Sequence, residues 1–429
     1  MAKVRGVLVL IAVLALCGTA FAQGEEDARS GRLSFSFNPR KFFQAGPAET
    51  EPAESTVTDA GETAVEEKPE DGVQDARAYV KLALYGLFRY EAIEGSADTF
   101  KMPGAYIRGE GEWKNYRLSI MANAAVTDGL TWAYVDMAPW EKHREKVQMR
   151  IGIFAVPFGQ QMRTFAYDLG SIDYSLIVED VTSRVAIYDM GAILHGSFQI
   201  ADGGLNYAFG FVNGEYSKVT DTNDSKAFVG RLGIELNPEL EIGGSYYNGK
   251  STDLIWMYDT QFERAGADMW LTPGNFNIRG EYIHAAEDMA SHYSGTTPVW
   301  EKGPRHFTEG WWLDFGVFVW INHELSRDEN GDKKGEDLRS WRRRRKGIEV
   351  YAHFQSLLEP PDANMKAATG HSTRHKYIYG IGVNWHLSKE VKLQVLWQHL
   401  DYGKYRLGLS GNRNEHDDRV MVQLSIAVF

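Results

Sequence analysis

The feature that most constrains this chain is an alternation of apolar and polar residues with a period of two. It holds for about ten residues at a time and recurs down the chain. Between Tyr79 and Tyr90, Val80, Leu82, Leu84 and Phe88 share one face, while Lys81 and Arg89 lie on the other. From Tyr116 to Thr127, Leu118, Ile120, Ala122 and Val126 oppose Arg117, Ser119, Asn123 and Thr127. The last segment sets Val420, Val422, Leu424, Ile426 and Val428 against Arg419, Gln423 and Ser425. Side chains alternate across a strand, so each segment reads as a ribbon with one wet face and one apolar face.

Such ribbons fit a soluble sandwich, whose apolar faces meet in a core, or a membrane barrel, whose apolar faces meet lipid. Three observations favour the barrel. The segments run to about ten residues, the length of a tilted membrane strand and roughly twice that of an ordinary soluble strand. Short connections at Lys114-Asn115, Ala201–Gly204, Asn237–Glu239, Thr272–Asn275 and Ser388–Glu390 alternate with long ones at 156–189, 214–225, 249–261, 287–309, 358–375 and 403–417. Short turns at one end and long loops at the other mark outer-membrane barrels. Trp113, Tyr116, Tyr246, Tyr377, Tyr379, Trp385 and Trp397 fall on the apolar rows, several near segment ends, where interfacial girdles form. Counting segments from 78 to 429 gives about sixteen. The expected fold is therefore an all-β transmembrane antiparallel barrel of about sixteen strands with long external loops, in a bacterial outer membrane. The even count places both termini on the periplasmic side. The long connection 323–345, with its Arg342–Arg345 run, then falls on the periplasmic side too, as a solvated turn. Phe429 supplies a terminal aromatic, but out of phase with the row ending at Val428.

The N-terminus reads as an export signal over 1–22. Lys3 and Arg5 precede the apolar run Val7–Leu16, and Ala20-Phe21-Ala22 offers small residues for cleavage before Gln23. Residues 23–75 form an acidic segment: ten acids from Glu49 to Asp75 face one base, Lys68, and no aromatic occurs from Gln44 to Gln74. A stretch so poor in apolar surface is expected to stay disordered on the periplasmic side. The barrel domain is 76–429. The sole cysteine, Cys17, lies in the leader, so disulfides, cysteine-bound zinc and thiol catalysis are excluded from the mature chain. A net charge of −12 argues against a nucleic-acid partner.

Several passages resemble one family. Gly152-Ile153-Phe154-Ala155-Val156-Pro157-Phe158-Gly159 is similar to the strand-to-loop passage of the phosphate-selective porin O and P family. Gly230-Arg231-Leu232-Gly233, Gly243-Gly244-Ser245-Tyr246-Tyr247, Gly280-Glu281-Tyr282-Ile283 and the closing strands carry the same likeness. The resemblance implies a sixteen-stranded homotrimeric porin with the loop after the fifth strand folded into the lumen. The strand count places the long 156–189 segment after strand five without reference to the family.

Period and parity point Lys81, Arg89, Arg108, Arg117, Arg150, Arg231, Arg279 and Lys392 inward, together with Glu110, Glu112, Asp136, Glu235, Glu241, Asp268, Glu281 and Glu349. The two sets nearly cancel, a lining suited to small polar solutes and ions in general; rows of bases alone would favour anions or phosphate. Within 156–189, Gln160, Gln161, Arg163, Asp168, Asp173, Glu179, Asp180, Arg184 and Asp189 are the candidates for a constriction, with Arg163 and Arg184 the expected solute contacts. No cofactor or metal is expected. Asp328-Glu329-Asn330-Gly331-Asp332 lacks calcium-loop spacing, His323-Glu324 lacks a second histidine, and His399 is the one histidine placed on an outward strand face, with no serine beside it. The expectation is a non-enzymatic porin whose partners are outer-membrane lipid and small polar solutes. The alternative is a barrel without a channel, serving as an adhesin or structural protein.

Overall fold

The computed structural model describes residues 79–94, 96–113, 115–124, 129–139, 146–182, 187–200, 203–214, 223–252, 259–294, 297–321, 346–359, 374–388, 390–401 and 416–428. The leader, the acidic segment, Arg184, Arg342–Arg345 and Phe429 lie outside them.

The described residues form sixteen strands: β1 (Tyr79–Ile93), β2 (Thr99–Trp113), β3 (Tyr116–Asn123), β4 (Leu130–Met137), β5 (Gln148–Ala155), β6 (Tyr188–Ile200), β7 (Gly203–Val212), β8 (Ala227–Asn237), β9 (Leu240–Thr252), β10 (Asp259–Leu271), β11 (Phe276–Ser294), β12 (Thr297–Ile321), β13 (Gly347–Glu359), β14 (Arg374–His386), β15 (Val391–Asp401) and β16 (His416–Val428). Each pairs antiparallel with its chain neighbours. The β1–β16 pairing, from Leu84 opposite Val428 to Ile93 opposite Arg419, closes the sheet into a barrel. Closure leaves no free edge, so the strands' backbone donors and acceptors find partners without water.

The alternation resolves into an outer and an inner row. Leu82, Leu84 and Phe88 on β1, Leu118 and Ile120 on β3, Leu232 and Ile234 on β8, and Ile381 and Val383 on β14 are all exposed on the outside. Water would oppose so large an apolar surface, whereas acyl chains solvate it. Tyr116, Tyr246, Tyr377, Tyr379 and Trp397 are exposed on this outer face, and Trp385 is half-buried. A closed sixteen-stranded barrel with an apolar exterior is the architecture of an outer-membrane protein.

Three expectations need correction. The segment 287–309 is not a loop. β11 and β12 extend through it and pair as far as Ser294 opposite Thr297, while their neighbours β10 and β13 stop earlier, at Glu287 and Glu309. The sequence there carries no period of two and holds Pro298 and Pro304, so it does not read as strand. His399 is not the lone outward histidine. His284 stacks on Phe307, and His375 stacks on the outward Tyr377. The inner row is not uniformly polar either: Ala83, Tyr85, Leu87, Tyr247, Phe262, Ile283, Trp312, Tyr351, Leu357, Leu396 and Met421 face inward and are buried.

A cation on the outer row tests the assignment of faces. Ile381 lies midway along β14 with 56% of its surface exposed. Ile381→Lys is expected to cost about 2–4 kcal/mol of stability in denaturant unfolding from lipid vesicles. An unchanged midpoint would place that face in water.

Candidate functional site

The inward apolar residues are explained by what they hold. After β5 the chain turns into the barrel and crosses it. Residues 156–187 include short 3-10 turns at Gln161–Arg163 and Ala166–Asp168, then a helix, α1 (Leu176–Thr182). Two glycines of the strand-to-loop passage allow the entry. Gly152 has φ +128° and packs against the β4 backbone at Ala133 and Tyr134; Gly159 has φ +60° and lies against the Glu281 carboxylate, where a Cβ would collide.

Apolar contacts seat the loop at both ends of its crossing. Val156, Phe158, Met162, Ile177, Val178 and Val181 are buried in one cluster with Val229, Tyr247, Phe262, Ile283, Trp312 and Leu357 from β8 through β13. On the far wall, Phe165 meets Tyr85, Tyr106 and Trp132 edge-on at ring separations of 5.3, 5.0 and 5.8 Å. Ile172 closes a third cluster with Tyr351, Leu396 and Met421.

Polar tethers fix the register of this packing. Ser245 accepts from the Gly159 amide at 2.9 Å, and Glu281 accepts from the Gln161 amide at 3.3 Å and from the Trp312 indole at 3.2 Å. Asp173 is clamped between Arg89 at 2.6 Å and Arg419 at 2.9 Å, and Arg89 also donates to the Ile172 carbonyl. Asn384 donates to the Gly170 carbonyl at 2.9 Å, and Lys392 reaches the carbonyls of Tyr167 and Leu169. The tethers come from β1, β9, β11, β14, β15 and β16, so the loop is held around most of the wall.

The inward charges divide into paired and unpaired groups. Arg108 pairs with Glu110 and lies over the Trp132 ring. Arg150 grips Asp136 with two bonds of 2.8 and 2.9 Å, and His195 reaches the same carboxylate. Arg231 is buried between Asp268 at 2.5 Å and Glu241 at 3.3 Å. Arg117 is exposed, with its register partners Glu112 on β2 and Asp136 on β4. Lys81 is exposed near the start of β1. Arg163 is exposed, spends its Nε on the Gly159 carbonyl at 2.7 Å, and lies within electrostatic range of Arg231, Asp268, Glu241 and Glu281. Arg279 lies over the Trp270 ring and against Gly170. Gln160 is buried in the loop and Asp168 is exposed. Among the described residues Arg163, Arg279 and Lys392 have no carboxylate at ion-pair distance; Arg89, Arg108 and Arg150 each have one, and Arg231 has two. The sequence placed Arg419 on the wet row without assigning it a role, and Gln355, Asn384 and Gln394 were not singled out. All four lie on inward rows, and the signal was a long polar side chain in phase with known inward charges.

Comparison with solved structures places this arrangement. The anion-selective porin from Comamonas acidovorans superposes with a TM-score of 0.55 at 11% identity, covering 82% of this chain and 100% of that one. The trimer form of OmpT, an outer membrane protein of Vibrio cholerae, gives 0.53 at 9% identity over 82% of this chain and 99% of that one. OmpT as expressed in the outer membrane gives 0.53 at 9% identity over 83% and 99%. This chain has the porin fold. No protein-family model and no curated protein matches it.

On α1, desolvation by the surrounding barrel wall and the neighbouring Asp173 push the Glu179 carboxyl up to about 7, against the pull of Arg419 and Arg89. Its folded value lies above the free one, so it binds a proton as pH falls through about 7. Carbon-13 NMR of the folded barrel should show that midpoint, and Asp173→Asn should lower it by removing a like charge and leaving both arginines to Glu179. A midpoint in the ordinary carboxylate range, or a rise in the variant, would contradict this packing.

Proposed function

We propose that the protein is an outer-membrane porin, a passive channel for small hydrophilic solutes and ions. The observation that carries the reading is an apolar exterior enclosing an interior where charged side chains meet solvent. Lys81 and Arg117 on the wall, and Arg163, Asp168 and Glu179 on the crossing loop, are all exposed. An ion leaving bulk water regains part of its hydration from such groups. The loop narrows the bore, and its exposed charges are the solute contacts; Arg163 is first among them.

The lining is mixed. Arg163 and Arg279 have no bonded carboxylate, but among the described residues the inward Glu281 and Glu349 have no bonded base, and Asp268 and Glu241 together outnumber Arg231. This balance supports at most a weak anion preference rather than a dedicated phosphate path. The likeness to the phosphate-selective porin O and P family supports the stronger preference. Purified protein in planar lipid bilayers is expected to open in discrete steps with a small reversal potential in a potassium chloride gradient, and Arg163→Glu to move that potential toward cations. A large anion potential with block by inorganic phosphate would support the family's selectivity. Silent, sealed barrels would overturn the porin reading in favour of an adhesin or structural barrel.

The assembly proposed is a homotrimer. β3, β4 and β5 have eight residues each, against 10 to 25 in the other strands. Eight residues extend about 26 Å, and at a tilt of about 45° they rise about 19 Å, short of the apolar band of about 25 Å. A second copy against this low wall relieves the mismatch. The trimer form of the Vibrio cholerae protein supports the same assembly. Leu118→Arg, on the exposed outer row of β3, is expected to convert a trimer to monomers in sedimentation analysis of detergent-folded protein. A monomeric parent, or a trimeric variant, would contradict the placement.

A further inference from the structure

The helix that crosses the barrel is held by a chain of hydrogen bonds whose proton positions are forced. The Leu176 amide, at the start of α1, donates to Gln355 Oε1 at 2.6 Å. An amide N–H only donates, so Gln355 must present its oxygen there and its NH₂ on the other side. That NH₂ faces Nε2 of His353, which must therefore accept. The ring proton then sits on Nδ1 and donates to Asp314. His353 is fully buried and both its nitrogens are used.

A second proton on His353 breaks this order. Nε2 would become a donor facing the Gln355 NH₂. Relief requires the amide to turn over, which brings its NH₂ against the Leu176 N–H and removes the bond holding the start of α1. We propose that Asp314, His353 and Gln355 form a proton-sensitive latch on the crossing helix, closed with neutral imidazole and loosened when the ring is protonated. The helix approaches the wall closely here: a Cβ at Gly310 would lie 2.7 Å from Cβ of Ile177. Loosening α1 therefore exchanges one packed arrangement for another inside the bore.

Other ionisable groups face the same space. Asp314 on β12 accepts from the ring. Tyr351 shares the inner row of β13, with Glu349, Arg279 and Asp173 within electrostatic range of it. Glu281 on β11 lies opposite Trp312. β14 places only Gly380 beside His353. Glu179 and Asp180 are on α1 itself. The proposal does not depend on conduction, because the latch is a property of the folded barrel.

Hydrogen exchange of detergent-folded protein tests it, with barrel closure checked by the faster migration of unheated samples. After correction for intrinsic exchange, protection of the α1 amides in the parent should fall about tenfold from about pH 8 to about pH 5, the loss of one buried hydrogen bond. His353→Gln keeps a donor for Asp314 and an acceptor for Gln355 but cannot gain the proton. Its protection should stay high at both values, although Glu179 still titrates. Gln355→Leu removes the latch and should show the low protection of the acid state throughout. Equal protection of the parent at both values, or a fall in His353→Gln matching the parent's, would overturn the latch.

Discussion

Lipid offers no hydrogen bonds, so a chain crossing it must satisfy its backbone internally, and every other feature of this barrel follows from that constraint. Strands meet it only by closing on themselves, as β1 and β16 do here. Closure divides each strand into a row for lipid and a row for the interior. A one-residue slip would exchange the two, so the apolar outer rows hold the register of the whole sheet. A solvent that accepts only apolar side chains writes that requirement into the sequence.

The interior follows a different rule. Many of the charges brought inward stay near neighbours of opposite sign, because a buried ion left alone costs several kcal/mol. Arg231 between Asp268 and Glu241, and Asp173 between Arg89 and Arg419, meet this need. The second group also ties the crossing loop to both sides of the β1–β16 seam. Apolar seats for Phe165 and Ile177 supply the contact area of the crossing, and the tethers set its position. The loop is thus a packed partition with charged edges, and its exposed groups are the proposed solute contacts.

The strand count, the two faces and the position of the crossing loop after strand five were legible in the sequence, because lipid enforces a period of two and turn lengths alternate. Tyr85 and Leu87 were not legible as loop seats. On a row presumed wet they interrupt the pattern without saying what covers them. The β11–β12 extension was hidden for a different reason: its sequence carries no period of two, and Pro298, Pro304 and neighbouring glycines resemble loop chemistry. The helix α1 is seven residues long, too short for its own period to stand out. The latch residues Asp314, His353 and Gln355 alternate on inward rows, yet their bonding to Leu176 depends on a fold-wide meeting that local spacing cannot show.

The account rests on which medium wets each face. Spin labels placed singly along β1 in lipid vesicles measure that directly, through relaxation by dissolved oxygen, which concentrates in acyl chains, and by a water-soluble nickel complex. Labels at Leu82, Leu84 and Phe88 should be relaxed strongly by oxygen and weakly by nickel, with the preference reversed at Lys81. Labels at those three positions that are immobile and shielded from both reagents would mean the apolar rows meet protein, and the membrane-spanning channel would be wrong.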